Sequence, residues 1–298
     1  MTENQPGIGP GSPIWIDYTA GDFTAQQDFY TALFGWSFQD QGEEFGHYQM
    51  IRKGEATVGG AMDADLMAQQ TGAPVQPAAW SVYLKTEDIQ RTMQLTEENG
   101  GTVAVPPMAV GPLGHMAVVM SAGGEAVGFW QPGQFGGHDL PLTEGTSVWF
   151  EVMSTDFAAD ARFYTAVAGW DVVPMGEDGE ADEGGRSDTD AAGTEDGEAG
   201  EGGDASGTEG GDSPDYATNF GGEDATAGLC NAKQWLPEGM PSFWRVYFQV
   251  PDMDAAVRTV QSKGGRVVDG PMDSPFGRVA SVVDPAGATF QLNQPTGG

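Results

Sequence analysis

The chain has 298 residues, with 44 acidic against 12 basic and a formal net charge of −32. At 39% hydrophobic residues and eight tryptophans it can build packed cores, and its length suits two domains. Such acidity argues against nucleic acid or anionic membrane as partners, the lone Cys230 excludes an internal disulfide framework, and no run of about 18 apolar residues is present to cross a bilayer.

In chain order, residues 1–12 read as a flexible Gly/Pro-rich tail. They have neither a basic start nor an apolar centre, so no secretory signal is predicted and cytoplasm is the expected location. Residues 14–20 alternate as a half-buried strand does. Asp22 can cap a helix over 22–34, and Gly35 can end it in a left-handed conformation. Strands follow near 36–39, 47–52 and 56–62, and residues 63–78, with Pro74 and Pro77, read as a connection. A strand at 80–86 and a helix at 88–98 come next, then strands near 102–105, 115–120 and 126–131. Residues 134–145 form a Gly/Pro-rich linker.

The plan then repeats. Trp15 to Trp36 returns as Trp149 to Trp170, with Asp22/Asp156, Phe29/Phe163, Tyr30/Tyr164 and Gly35/Gly169 in step. Trp80-Ser-Val-Tyr83 returns as Trp244-Arg-Val-Tyr247, Gly100-Gly101 as Gly264-Gly265, and Pro107-Met108 as Pro271-Met272. The chain is therefore four similar units, A, B, A′ and B′. The repeat has one interruption: Trp36 to Tyr48 spans 12 positions, whereas Trp170 to Tyr216 spans 46. Residues 176–215 hold 15 acids, one base and 12 glycines. That composition cannot bury apolar surface and predicts a disordered insertion. Calcium is the competing reading, but the D-x-D-x-D-G…E loop pattern is absent.

Outside the insertion 29 acids still face 11 bases, a net −18, and lysine is scarce. A surface of this kind suits a protein working in high salt, where self-repulsion is screened. Cys230 reads as a small buried strand residue rather than a nucleophile.

The F-Y-x-x-L-F-G-W ending of the first unit and the later V-Y…D…G-G…D-P-A-G pattern resemble the glyoxalase/bleomycin resistance/dioxygenase superfamily, also called vicinal oxygen chelate proteins. The likeness is greatest to the two-domain glyoxalase-like antigens of actinobacteria, over roughly residues 13–133 and 145–295, with domains expected at 13–133 and 146–296. It implies an α+β fold of tandem vicinal-oxygen-chelate domains, four βαβββ units whose curved, mostly antiparallel sheets enclose cavities. Whether A pairs with B or with B′ is open. The superfamily hosts lyases, isomerases, dioxygenases and drug-sequestering proteins, so the fold alone does not choose among them.

Metal-using members place a His on the first strand and a Glu on the last strand of their units. Here the matching positions are Trp15, Trp149, Ser81 and Arg245, then Gly60, Gly228, Gly128 and Gln291. None is a His or Glu. Three histidines exist in all, His47, His115 and His138, with no Cys/His or H-E-x-x-H spacing. No metal ligands and no cofactor are therefore predicted. Strand alternation instead turns Trp15, Asp17 and Thr19 toward one cavity, joined by Ser81, Tyr83 and Lys85. Ile14, Ile16 and Tyr18 are left for the helix side. Trp149, Glu151 and Met153 face the other cavity, with Arg245, Tyr247 and Gln249.

These cavities fit a small organic molecule. The expected binding residues are Trp15, Trp149, Ser81, Arg245, Gln291 and His115. Asp17 and Glu151 are candidate bases, with Tyr83 and Tyr247 as acids. The competing reading is that both carboxylates are structural and Glu151 simply pairs with Arg245. Three classes follow: a metal-independent binding protein, a metal-independent enzyme with lyase-type chemistry, and a metal-dependent lyase or dioxygenase. A monomer or homodimer is expected.

Overall fold

A computed structural model describes residues 8–139, 142–175 and 215–296. Unit A comprises β1 (Pro13–Ala20), α1 (Phe23–Phe34), β2 (Ser37–Asp40), β3 (Gln49–Lys53) and β4 (Ala56–Asp63). After α2 (Ala64–Thr71), unit B comprises β5 (Ala79–Lys85), α3 (Ile89–Glu98), β6 (Thr102–Val110), β7 (Gly114–Met120) and β8 (Ala126–Pro132). Unit A′ comprises β9 (Ser147–Ser154), α4 (Phe157–Ala168), β10 (Val173–Pro174), β11 (Tyr216–Thr218) and β12 (Gly228–Asn231). Unit B′ comprises β13 (Phe243–Gln249), α5 (Met253–Ser262), β14 (Arg266–Ser274), β15 (Gly277–Val283) and β16 (Thr289–Gln294).

The strands form two eight-stranded sheets with matching orders, β2-β3-β4-β1-β5-β8-β7-β6 and β10-β11-β12-β9-β13-β16-β15-β14. The pairing left open by sequence is thus A with B and A′ with B′, joined through antiparallel β1–β5 and β9–β13. Along β1 and β9 every second residue faces the concave side. The alternate residues, Ile16 and Tyr18 or Phe150 and Val152, enter the helix-side core.

That core is continuous across both halves, because the helices pack in the opposite combination: α1 against α5 and α3 against α4. The paired glycines of B and B′ make this possible. A Cβ on Gly101 would lie 2.8 Å from the Phe163 ring, and one on Gly265 would lie 3.0 Å from the Phe29 ring. The repeated Gly-Trp ending locks the same arrangement. Trp36 Nε1 donates to the Gly145 carbonyl (2.6 Å) and Trp170 Nε1 to the Gly11 carbonyl (2.8 Å), each gripping the lead-in to the other half's first strand. The repeated tyrosines reach across too: Tyr30 donates to Asp284 (3.0 Å) and Tyr164 to Glu125 (2.6 Å).

Several expectations change. Residues 63–78 are not a bare connection. Asp63 accepts hydrogen bonds from the Asp65 and Leu66 amides and so caps α2, which the left-handed Gly72 closes. Asp156 caps α4 through the Ala159 amide as predicted, but Asp22 makes no side-chain cap. Asp22 is itself left-handed (φ 46°), and its amide donates to Asp65. Residues 8–12 of the expected tail are held in place: the Gly11 amide donates to Lys85, and Ser12 accepts from the Lys85 amide. Ile14 packs with Trp15, Tyr83 and Trp130 rather than with the helix-side core, because the register slips between Pro13 and Trp15. The predicted disordered insertion lies almost wholly outside the described residues.

Candidate functional site

Each concave face is built on its central strand. Asp17 stands between Gly60 of β4 and Ser81 of β5, and Glu151 between Gly228 of β12 and Arg245 of β13. One step along, Trp15 opposes Tyr83, whose other neighbour is Gly128; Trp149 opposes Tyr247, whose other neighbour is Gln291. The residues chosen by alternation therefore do come together, one set per sheet. His115 does not join them: it lies exposed on β7, opposite Ala109 and Gln131. Lys85 turns its ammonium to the Ile8 carbonyl (2.6 Å).

In the first half Trp15 Nε1 donates to Asp17 (3.0 Å) and to the Tyr48 hydroxyl (2.8 Å), and Tyr48 donates to Asp17. Burial pushes the Asp17 carboxyl above its ordinary range, against the hydrogen bonds of Tyr48, Trp15 and Tyr83. Phe135 stands edge-on to Trp15, with ring centres 4.9 Å apart.

In the second half Tyr247 donates to Glu151 Oε2 (2.8 Å), Trp149 Nε1 donates to the Tyr216 hydroxyl (2.9 Å), and the Arg245 guanidinium lies 3.8 Å from Glu151. Burial again raises the carboxyl, while Arg245, Tyr247 and Tyr216 act to lower it. Gln291 is buried and donates to Ser281 (2.7 Å). Glu151, Tyr216, Tyr247, Arg245 and Gln291 share the wall of one cavity of about 940 Å³. Its apolar lining includes Met153, Leu236 and Phe243, and residues 78–81 and 124–126 of the first half complete it. Cys230 also lines it, and burial with the nearby Glu151 charge pushes its thiol up to about 12, so it is protonated near neutrality.

Tyr48 and Tyr216 escaped the sequence-based selection. They are equivalent tyrosines in the two copies, the pair whose spacing from Trp36 and Trp170 measures the repeat's interruption, and that equivalence was the available signal. Each depends on a glycine: a Cβ on Gly60 would lie 1.6 Å from the Tyr48 hydroxyl, and one on Gly228 would lie 1.9 Å from that of Tyr216. On the other strand a Cβ on Gly128 would lie 2.2 Å from the Tyr83 ring. At three of the four last-strand positions, then, a tyrosine fills the space a longer side chain would need.

The family model for the glyoxalase/bleomycin resistance protein/dioxygenase superfamily matches residues 146–292. CFP32 of Mycobacterium tuberculosis, which carries the description glyoxylase in its name, is 30% identical over 289 residues, covering 96% of this chain and 95% of that protein. The anthracycline biosynthesis protein DnrV of Streptomyces peucetius is 30% identical over 301 residues, covering 96% and 94%. Among solved structures, the Mn(II)-bound glyoxalase of Novosphingobium aromaticivorans aligns with a TM-score of 0.57 at 14% identity, covering 96% of this chain and 82% of that one. The 2,3-dioxygenase LapB of Pseudomonas sp. KL28 aligns at 0.58 and 12% identity, covering 98% and 94%. With two matched sheets and relatives spanning nearly its whole length, the chain belongs to the glyoxalase/bleomycin resistance protein/dioxygenase superfamily.

The manganese-bound neighbour raises the question of a divalent ion. The donor set here does not fit one. At the centre of each concave face stands one carboxylate, flanked by tyrosines and an indole; Glu125 and Asp269 also line the second-half cavity but form no metal-binding group with Glu151, and beside Glu151 the place of a cation is already taken by Arg245. Among the described residues no three His, Cys, Asp or Glu side chains gather as a metal-binding group.

Proposed function

We propose that this protein binds a small organic molecule in the second-half cavity, using Glu151 as its anchoring carboxyl and no divalent metal. The observation that carries this reading is the convergence of Glu151, Tyr247, Tyr216 and Arg245 on one largely apolar chamber of about 940 Å³. Drug-sized ligands take such chambers, with a few placed polar groups fixing their orientation. Asp17, with Tyr48 and Tyr83, is the counterpart in the first half.

The same geometry favours a second reading, a metal-independent proton transfer. A carboxyl raised by burial is a better base once ionised, and Tyr247 stands within hydrogen-bond reach to return a proton. In that reaction Arg245 stabilises the carboxylate before transfer, Glu151 removes a proton from the bound molecule, Tyr247 gives its own proton to the oxygen that gathers charge, and the proton on Glu151 then restores Tyr247 across the hydrogen bond between them. Nucleic acid is a poor partner for the acidic surface. No helix among the described residues is long and apolar enough to cross a membrane.

The name of the Streptomyces relative makes an anthracycline the first ligand to test. Titration should give saturable binding, weakened about tenfold by Glu151→Gln, the scale of one charge-assisted contact, with melting temperature preserved. Equal affinity in wild type and variant, or binding that requires added manganese, zinc or iron, contradicts the reading.

A further inference from the structure

Trp235 has no structural employment that explains its exposure. It is 60% exposed, whereas Trp36, Trp80, Trp170 and Trp244 are buried in the core. It lies between β12 and β13, in a turn closed by hydrogen bonds from the Trp235 and Leu236 amides to the Ala232 carbonyl (2.9 and 3.0 Å). The backbone is therefore fixed while the indole is left open. That indole belongs to the cavity wall, near its apolar neighbours Leu236 and Met240, and Met240 is also exposed. A large exposed aromatic is costly to leave in water, and its place on a ligand chamber gives it a use.

Deeper in the chamber, Arg245 lies 5.8 Å from the centre of the Phe243 ring. Its nearest carboxylate oxygen, on Glu151, is 3.8 Å away, outside hydrogen-bond distance. Guanidinium N–H donors therefore remain for an acceptor oxygen on a ligand. The chamber thus offers a flat π surface at its exposed margin and a cationic fork inside, with the Tyr247 hydroxyl beside it. A planar ring system stacks on indole, and an oxygen or carboxylate at its far edge meets Arg245. A saturated cage of the same polarity gains the second contact but not the first.

We propose that Trp235 is the stacking residue of this cavity and selects planar aromatic ligands that bear an acidic or acceptor oxygen, received by Arg245. The proposal rests on the reading of the cavity as a ligand site, and it assigns that ligand a chemical class.

The test is calorimetric titration of the full chain with anthraquinone-2-carboxylate and, separately, with adamantane-1-carboxylate. Wild type should bind the anthraquinone more tightly. Trp235→Ala should weaken the anthraquinone about tenfold and Trp235→Phe should restore most of that loss, while affinity for the adamantane stays within about twofold. Arg245→Gln should weaken both. Unchanged anthraquinone affinity in Trp235→Ala overturns the stacking role while leaving the cavity a binding site. Binding of the adamantane alone overturns the aromatic class. Binding of neither probe overturns the stacking proposal and the site reading together. Melting temperatures of the two Trp235 variants should match wild type, since the Trp235 side chain is exposed; a loss of several degrees would mean Trp235 is structural.

Discussion

At the scale of single residues, the glycines on the inner strands are as informative as the polar groups. Gly228 faces Glu151 across parallel strands, and its missing side chain is what lets the Tyr216 hydroxyl reach the Trp149 indole. Gly228→Ala should therefore destabilise the chain by about 1–3 kcal/mol, the usual cost of overpacking. In a Tyr216→Ala background the same substitution should cost far less, because the atoms it would strike are gone. Urea denaturation of the four proteins of this cycle measures the coupling; simple additivity would show that Tyr216 is not what Gly228 accommodates. Period-two alternation was enough to place Trp15, Asp17, Glu151 and Tyr247 on the concave faces. It could not reach Tyr48 and Tyr216, which enter from neighbouring strands whose register is set by tertiary pairing. Nor could it exclude His115, since strand position alone does not say which side chains a curved sheet leaves in solvent.

At the scale of elements, the two helix interfaces are similar in plan and unequal in electrostatics. Where α1 meets the second half, Asp284 accepts from Tyr18 and Tyr30 through one oxygen and from the amides of Ala286, Gly287 and Ala288 through the other. Where α4 meets the first half, Glu125 accepts from Tyr164, while its Oε2 has no hydrogen-bond partner. Asp160 on α4 is buried close by. It accepts from Ser154 and Ser242 through Oδ2 but has no partner at Oδ1. Burial first, and the Asp160 charge second, push Glu125 up to about 7; Asp156 adds a further charge on the Asp160 side. The pKa of Glu125 in the fold thus lies above its ordinary value of 4.5. Between those values the folded chain keeps a proton that the unfolded chain releases, so this group's contribution to stability is present below pH 4.5 and lost as pH rises through about 7. Asp17 and Glu151, also raised, slope the same way. Glu125→Gln should raise the melting temperature at pH 8 by several degrees and flatten the slope between pH 5 and pH 8, without abolishing it. Melting curves at both pH values check this, and a steeper slope in the variant would contradict the assignment.

The element plan itself was largely readable, because a repeated strand–helix–strand pattern constrains every unit by its copy. The capped α2 was missed because a connection containing two prolines downstream masks a short helix upstream. The exchange of helix partners was invisible for a different reason: an amphipathic stripe says that a helix is covered, not by which half. That information lies in contacts in space, among them Phe163 on Gly101, Phe29 on Gly265 and the cross-half hydrogen bonds of Trp36 and Trp170.

At the scale of the molecule, the net charge of −32 acts on every equilibrium of the chain. Like charges spread over two packed halves repel, and mobile ions weaken that repulsion over about 10 Å at 0.1 M salt and about 3 Å at 1 M. The melting temperature should therefore climb as KCl is raised from 0.05 to about 2 M, the range over which screening shortens. A flat profile would mean the acidic surface carries no adaptation to salt.

The two halves together build one chamber on which Glu151, Arg245, Tyr216 and Tyr247 converge, and a solved neighbour of the same fold is manganese-bound. Native mass spectrometry of the chain purified from its own source, beside its Glu151→Gln variant, tests that assignment most directly. A small organic molecule should travel with the wild-type chain and be lost or much reduced in the variant, with well under one equivalent of any divalent metal in either. One manganese, zinc, iron or nickel ion per chain, with no organic adduct, would contradict it.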